Sequence, residues 1–214
     1  MALFLLVAAL GCGGEPQSPT SPEPITPVVV AFGDSLTSGP GLRPEQTYPS
    51  LLQQRISAEG LGYRVTNTGV TGDTTSEALL RIDHALTPGT KVLILAIGMN
   101  DGLRGVPVST VEQNIAAMIE RAQSRGIAVL LCGMEAPPLR GFTYSLEFHR
   151  AFTRLGERFE VTVVPFILLR IAGNPDLNLE DRFHPNAAGH RVIAETIWPY
   201  LRPMLLSPPT GGVL

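Results

Sequence analysis

The sequence predicts an α/β fold, a three-layer α/β/α sandwich around a mainly parallel, five-stranded sheet. Three observations carry that expectation. Short runs rich in Val, Ile and Leu alternate with longer stretches whose apolar residues recur at three- and four-residue spacing, the pattern of repeated βαβ units. The short runs show no in–out alternation, which suits strands buried on both faces. Gly and Pro punctuate their ends and separate them from fragments of buried helix.

The elements follow in order. Val28–Phe32 reads as the first strand and ends in Gly33-Asp34-Ser35. Tyr48–Ala58 has helical spacing, and Arg64–Asn67 is a second strand closing on a Thr-Gly turn. A helix over Ser76–Leu86 leads to a third strand, Val92–Ile97, and a helix over Val111–Gln123 to a fourth, Ala128–Cys132. The helical stretch Leu146–Phe159 precedes the fifth strand, Thr162–Pro165. A last helix, Ala187–Leu201, follows "HPN" and stops near Pro203, because proline cannot continue the hydrogen-bond ladder.

This gives one domain over residues 28–204, with a tail at 205–214. Ahead of it the composition changes. Leu3 to Leu10 is an apolar run of eight, far short of the roughly 20 residues that span a bilayer. With the small residues after it, it reads as a signal peptide over residues 1–12. Cys12 stands where a bacterial lipobox places its lipidated cysteine, although Ala9 replaces the preferred Leu and no basic residue precedes the run. Residues 13–27 hold five prolines and no apolar periodicity, so they serve as a semi-extended tether rather than as core. The expectation is an exported protein of the periplasm or cell envelope, lipid-anchored through Cys12, with no other membrane attachment. Cys132, the only other cysteine, is expected to be a buried thiol, so no disulfide within the domain is available. The net charge is −3 and Lys91 is the single lysine, which argues against a nucleic-acid partner.

In a parallel sheet the loops after successive strands gather at one edge, where open α/β sheets keep their ligand crevice. Those loops here read "GDS", "NTGVTGDTT" and "GMNDG", with "DRFHPN" ahead of the last helix. Together they offer the parts of acyl transfer. A serine hydroxyl needs an adjacent base, usually an imidazole oriented by a carboxylate on its other nitrogen. Asp181 and His184 are three residues apart, so one tight loop can present both toward Ser35. The Ser35 N–H, the Gly72 N–H and the Asn100 amide are candidate donors to an oxyanion. Blander readings exist for each block. Asn100-Asp101 could cap the structure after its strand, Gly72-Asp73 could be a turn and helix start, and "DRFHPN" could be a helix entry with Asn186 at the cap. All four being incidental in this order is a poor explanation.

The blocks "GDSL", "TGD", "GMND" and "DRFHPN" resemble the four signature blocks of the SGNH, or GDSL, hydrolases. Within them "AFGDSLTSG", "GVTGDTT" and "NDGLRG" look like the bacterial periplasmic branch of thioesterase I/lysophospholipase L1-like esterases and arylesterases. The resemblance spans about residues 28 to 201 and implies a flavodoxin-like sheet. It also implies a catalytic Ser35, Asp181 and His184, with an oxyanion hole from Ser35, Gly72 and Asn100. Two positions depart from the pattern. Met99 stands where relatives often have Gly, and Arg182-Phe183 replaces a glycine-containing pair. The serine is not in a Gly-x-Ser-x-Gly elbow, since Thr37 occupies the second glycine position. His84, His149, His184 and His190 form no HExxH motif, so neither a metal nor a cofactor is called for.

The expected activity is hydrolysis of short- to medium-chain acyl or aryl esters, with lysophospholipids as a further candidate substrate, through an acyl-enzyme; the partner is a small acyl-ester substrate. Acyl-thioester hydrolysis and carbohydrate O-deacetylation are the alternatives on the same residues. A lipid-binding envelope lipoprotein is the non-enzyme rival, with no need for Ser, Asp and His together. The loops "DGLRGVPV" and "GMEAPPLRGFTYS" are expected to form the acyl site, with Leu103, Met134, Pro137 and Phe142 as its contacts. The oligomeric state is not legible.

Overall fold

The computed structural model describes residues 26–207. The expected signal segment with Cys12, the expected tether up to residue 25 and residues 208–214 lie outside the described residues. Five parallel strands form one sheet in the order β2-β1-β3-β4-β5. They are β1 (Val28–Gly33), β2 (Arg64–Asn67), β3 (Thr90–Ala96), β4 (Ala128–Cys132) and β5 (Thr162–Val164). This is the flavodoxin-like order, whose switch point lies between β1 and β3.

The core explains the missing alternation. Every residue of β1 is buried, and so is all of β3 except Lys91. Each large aliphatic side chain so buried contributes about 1.5–3 kcal/mol, so strands covered on both faces gain most from Val, Ile and Leu at consecutive positions. The covers are α3 (Thr75–Ala85), α5 (Val108–Gln123) and α6 (Phe142–Phe159), packed in series on one face. On the other, α2 (Tyr48–Ala58) packs against α7 (Ala187–Leu206). The edge strands β2 and β5 are short and partly exposed, which limits the open ladder they present.

Two short helices escape the periodicity. They are α1 (Ser35–Ser38) and α4 (Met99–Arg104), starting directly after β1 and just beyond β3. At four and six residues they are too brief to show a 3.6-residue pattern. The helix starts of α5 and α6 also fall earlier than Val111 and Leu146, since Pro107 and Gly141 at their N-caps offer no side-chain cap to read.

The expected stop near Pro203 is corrected. Helix α7 runs through Pro199 and Pro203 to Leu206. Ile193, Ile197, Leu201 and Leu205 lie on its buried face at four-residue spacing. Burying that stripe outweighs the ladder bonds lost at two prolines, and it places Leu205 in the domain rather than in the tail.

Candidate active site

Strand β1 pairs with β3 up to Gly33↔Ala96, so the residues just beyond both strands emerge side by side at the carboxyl edge. From β1 comes Ser35, the first residue of α1, only 6 % exposed. From beyond β3 comes Asn100, second residue of α4, entered through Gly98 at φ 121°, a conformation open in practice only to glycine. The loop after β2 brings Gly72 at φ 90°, in a turn closed by the Asp73 N–H to the Val70 carbonyl at 3.3 Å. Helix α3 begins straight after this turn, capped by Thr74 and Glu77.

The loop before α7 supplies the candidate base. Leu179 N–H donates to the His184 carbonyl at 2.7 Å and Arg182 N–H to the Leu179 carbonyl at 2.8 Å, folding residues 179–184 tightly back. Asp181 Oδ1 accepts the amides of Phe183 and His184, each at 2.9 Å. Its Oδ2 takes His184 Nδ1–H at 2.6 Å, which leaves Nε2 as an acceptor, 3.1 Å from Ser35 Oγ. The His184 side-chain hydrogen bond, followed by the two backbone amides, holds the exposed Asp181 carboxyl down at about 2. Asn186 closes the loop by accepting from Ala188 and Gly189 at the start of α7. The helix-entry reading of this block and the triad reading therefore both describe it.

Among the described residues the amides of Ser35 and Gly72 have no acceptor. Asn100 Nδ2 spends one hydrogen on the Asp73 carbonyl at 2.9 Å and keeps the other. Three unspent donors thus stand on the segments that follow β1, β2 and β3, at the edge where Ser35 emerges. Asp101 does structural work beside them, taking the Thr75 amide at 2.8 Å and hydroxyl at 2.7 Å.

A cleft of about 280 Å³ opens next to this centre, bounded by Met99, Pro137, Pro138, Phe166, Leu168 and Phe183. Phe183 also stands edge-on to the His184 ring, 5.2 Å between centroids. Of the four acyl contacts expected from sequence, only Pro137 lines this cleft. Met134 is 1 % exposed in the core, and Phe142 is 80 % exposed at the start of α6. Leu103 packs against the core, and its carbonyl, with that of Val106, is held by Arg140 and Tyr144 away from the cleft. The walls that sequence reasoning missed, Phe166 and Leu168, come from the segment after β5. Their signal was position, since that segment leaves the sheet at the same edge.

Met99, one of the two departures from the family pattern that the resemblance implied, adds an apolar wall. Arg182, the other departure, sits at φ 59° in the left-handed region, where glycine is unstrained, and lines the cleft. Three further residues were not singled out. Asp34 is fully buried, with Oδ1 accepting the Leu36 amide and Oδ2 without a partner, and burial raises it to about 7. His190, 1 % exposed, accepts the Tyr48 amide on Nδ1 at 3.0 Å, and burial lowers it to about 4. Arg81, on α3, donates to Asp73, Thr68 and Gly33.

A flavodoxin-like sheet carrying a Ser–His–Asp series at its carboxyl edge defines a class of ester hydrolases. The chain belongs to the GDSL-like lipase/acylhydrolase family, whose model matches residues 31–192. It is 34 % identical over 178 residues to the esterase TesA of Pseudomonas aeruginosa, covering 83 % of this chain and 89 % of the relative. It is 32 % identical to an arylesterase of Vibrio mimicus, covering 79 % and 85 %. The solved structure of the esterase EstA from Pseudoalteromonas sp., inhibited by monoethylphosphonate, superposes with a TM-score of 0.79 at 30 % identity, covering 84 % and 99 %. The chain is a carboxylic ester hydrolase.

Proposed function

We propose that Ser35 is the nucleophile of a short- to medium-chain acyl or aryl esterase working through an acyl-enzyme. The observation that carries this reading is the unbroken series from Asp181 through His184 to Ser35 Oγ, at 2.6 and 3.1 Å, with unspent donors on the adjoining segments. In the first half-reaction Ser35 Oγ forms a bond to the ester carbonyl carbon while its proton passes to His184 Nε2. The carbonyl oxygen becomes an oxyanion received by the Ser35 and Gly72 amides and the free hydrogen of the Asn100 amide. The ester C–O bond then breaks, and His184 returns the proton to the departing alcohol. In the second, water repeats the sequence and releases the acid. Asp181 stays ionised throughout and fixes the imidazole tautomer.

The cleft supports the acyl range. At about 280 Å³ it sits at the small end of ligand sites, roughly 300–1,000 Å³, and its walls are mainly apolar. Each buried methylene adds up to about 0.8 kcal/mol, roughly fourfold in binding. Specificity constants on one alcohol should therefore climb from acetyl through butyryl before the cleft ends. A maximum at acetyl with a fall by butyryl would favour O-deacetylation instead, and a thioester series on the same acyl groups ranks that alternative.

Residues 1–27 support an exported protein anchored through Cys12.

A further inference from the structure

The geometry points to Arg81 of α3 as the residue that positions the oxyanion hole, a role resting on the Ser35 reading above. Its guanidinium is three-quarters buried and spends each nitrogen on a different segment. Nε donates to Asp73 Oδ2 at 2.6 Å, one terminal nitrogen to the Thr68 carbonyl at 2.7 Å and the other to the Gly33 carbonyl at 2.9 Å. Its plane lies over the Phe32 ring, 4.1 Å from the centroid. Phe32 and Gly33 end the strand that delivers Ser35. Thr68 and Asp73 bracket the loop that delivers Gly72. The Asp73 carbonyl is in turn the acceptor for Asn100. One cation thus ties the nucleophile's strand to both other oxyanion donors.

Backbone bonds alone leave this job unfinished. Thr68 N–H to the Ala31 carbonyl at 2.8 Å and Val70 N–H to the Gly33 carbonyl at 3.0 Å lay the start of the loop along β1. Beyond Val70, Gly72 sits in a turn whose own closing bond is long, at 3.3 Å, and a glycine at positive φ adds no stiffness. Exposed bonds touch its middle, from Arg104 to the Gly72 carbonyl at 3.0 Å and between the Ser38 and Thr71 hydroxyls at 2.8 Å, but its far end is held by Asp73, and the Asp73 side chain is held by Arg81. Misplacing a donor by an ångström costs about a hundredfold in rate, so this clamp acts on turnover rather than on substrate affinity.

The test is Arg81→Lys, because an ammonium cannot reproduce a planar fork reaching three acceptors, though it keeps the charge. Expected are a kcat lower by about ten- to hundredfold, a KM within about twofold, and an equal fall in the rate at which an aryl phosphonate modifies Ser35. Asp73→Asn, which keeps shape and loses the charged partner, should move both rates the same way and covers the case in which Arg81→Lys folds poorly. Asp83→Asn is the control. It breaks the pairs from Arg121 and Arg125 to the same helix and should lower stability without touching kcat. A purely structural Arg81 would give variants with reduced melting temperature, unchanged kcat and unchanged phosphonylation, and that result overturns the proposal. Failure of the Ser35 reading looks different, since the wild-type enzyme would then take no label at Ser35.

Discussion

Asp34 and His190 flank the nucleophile's surroundings and respond to pH in opposite directions. His190 is held neutral at about 4 against roughly 6.5 in the unfolded chain, so its contribution is complete above pH 6.5 and is lost as pH falls to 4. That amounts to about 3 kcal/mol. Asp34 is raised to about 7, so its contribution is complete below the unfolded value of 3.8 and is lost as pH rises through 7, about 4 kcal/mol in all. Asp101, also raised by burial, leans the same way as Asp34. Between pH 4 and 6.5 the slopes offset, and Asp34→Asn should expose the His190 slope. Denaturant unfolding of that variant should show stability climbing by up to about 3 kcal/mol over this window, whereas a flat profile would contradict the assignment. Asn100→Ala should cost about a hundredfold in kcat with little change in KM; a change confined to KM would make Asn100 a substrate contact instead. Arg182→Gly removes left-handed strain of about 1 kcal/mol and should raise the melting temperature by about 2–4 °C. The candidate triad and oxyanion donors could be read from sequence because the chemistry proposed for them fixes residue type. Asp34, His190 and Arg81 could not, because their roles come from burial and from partners distant in the chain.

Helix α7 shows how tertiary packing overrides a local rule. Pro203 is exposed, and its ring forfeits one ladder bond while the buried stripe from Ile193 to Leu205 keeps the helix in place. Pro203→Ala should therefore restore a hydrogen bond without disturbing the core and raise the melting temperature by a few degrees. A lower melting temperature would mean that proline's restriction of the unfolded chain is the larger effect. All five strands and five of the helices were legible, since each buries a stripe or a face long enough to leave a period. The loops were not. Leu103 and Phe142 looked as suited to an acyl chain as Pro137 did, and only the Arg140 and Tyr144 bonds to the Leu103 and Val106 carbonyls decide which way the chain turns.

The candidate site exists only in the assembled molecule. Ser35 lies beyond β1, Gly72 beyond β2, Asn100 beyond β3 and His184 ahead of α7, so a parallel sheet is what turns four separated blocks into one centre. That is why block order and strand alternation could be read together from the chain, whereas the cleft, which draws on Met99, the β4 and β5 loops and Phe183, was legible only in its β4 loop. The proposed anchoring through Cys12 is likewise a matter for the full chain. Cys12→Ser should release the protein from the membrane fraction or leave its precursor unprocessed, and a mature amino terminus beyond Cys12 without lipid would contradict that reading. The most direct test of the mechanism is reaction of the wild-type protein with an aryl phosphonate ester, followed by intact-mass and peptide mass spectrometry. One phosphonyl group should appear on Ser35 in step with loss of esterase activity, and Ser35→Ala should take none and lose about a thousandfold in kcat. Label on another residue, or full activity in Ser35→Ala, would contradict it.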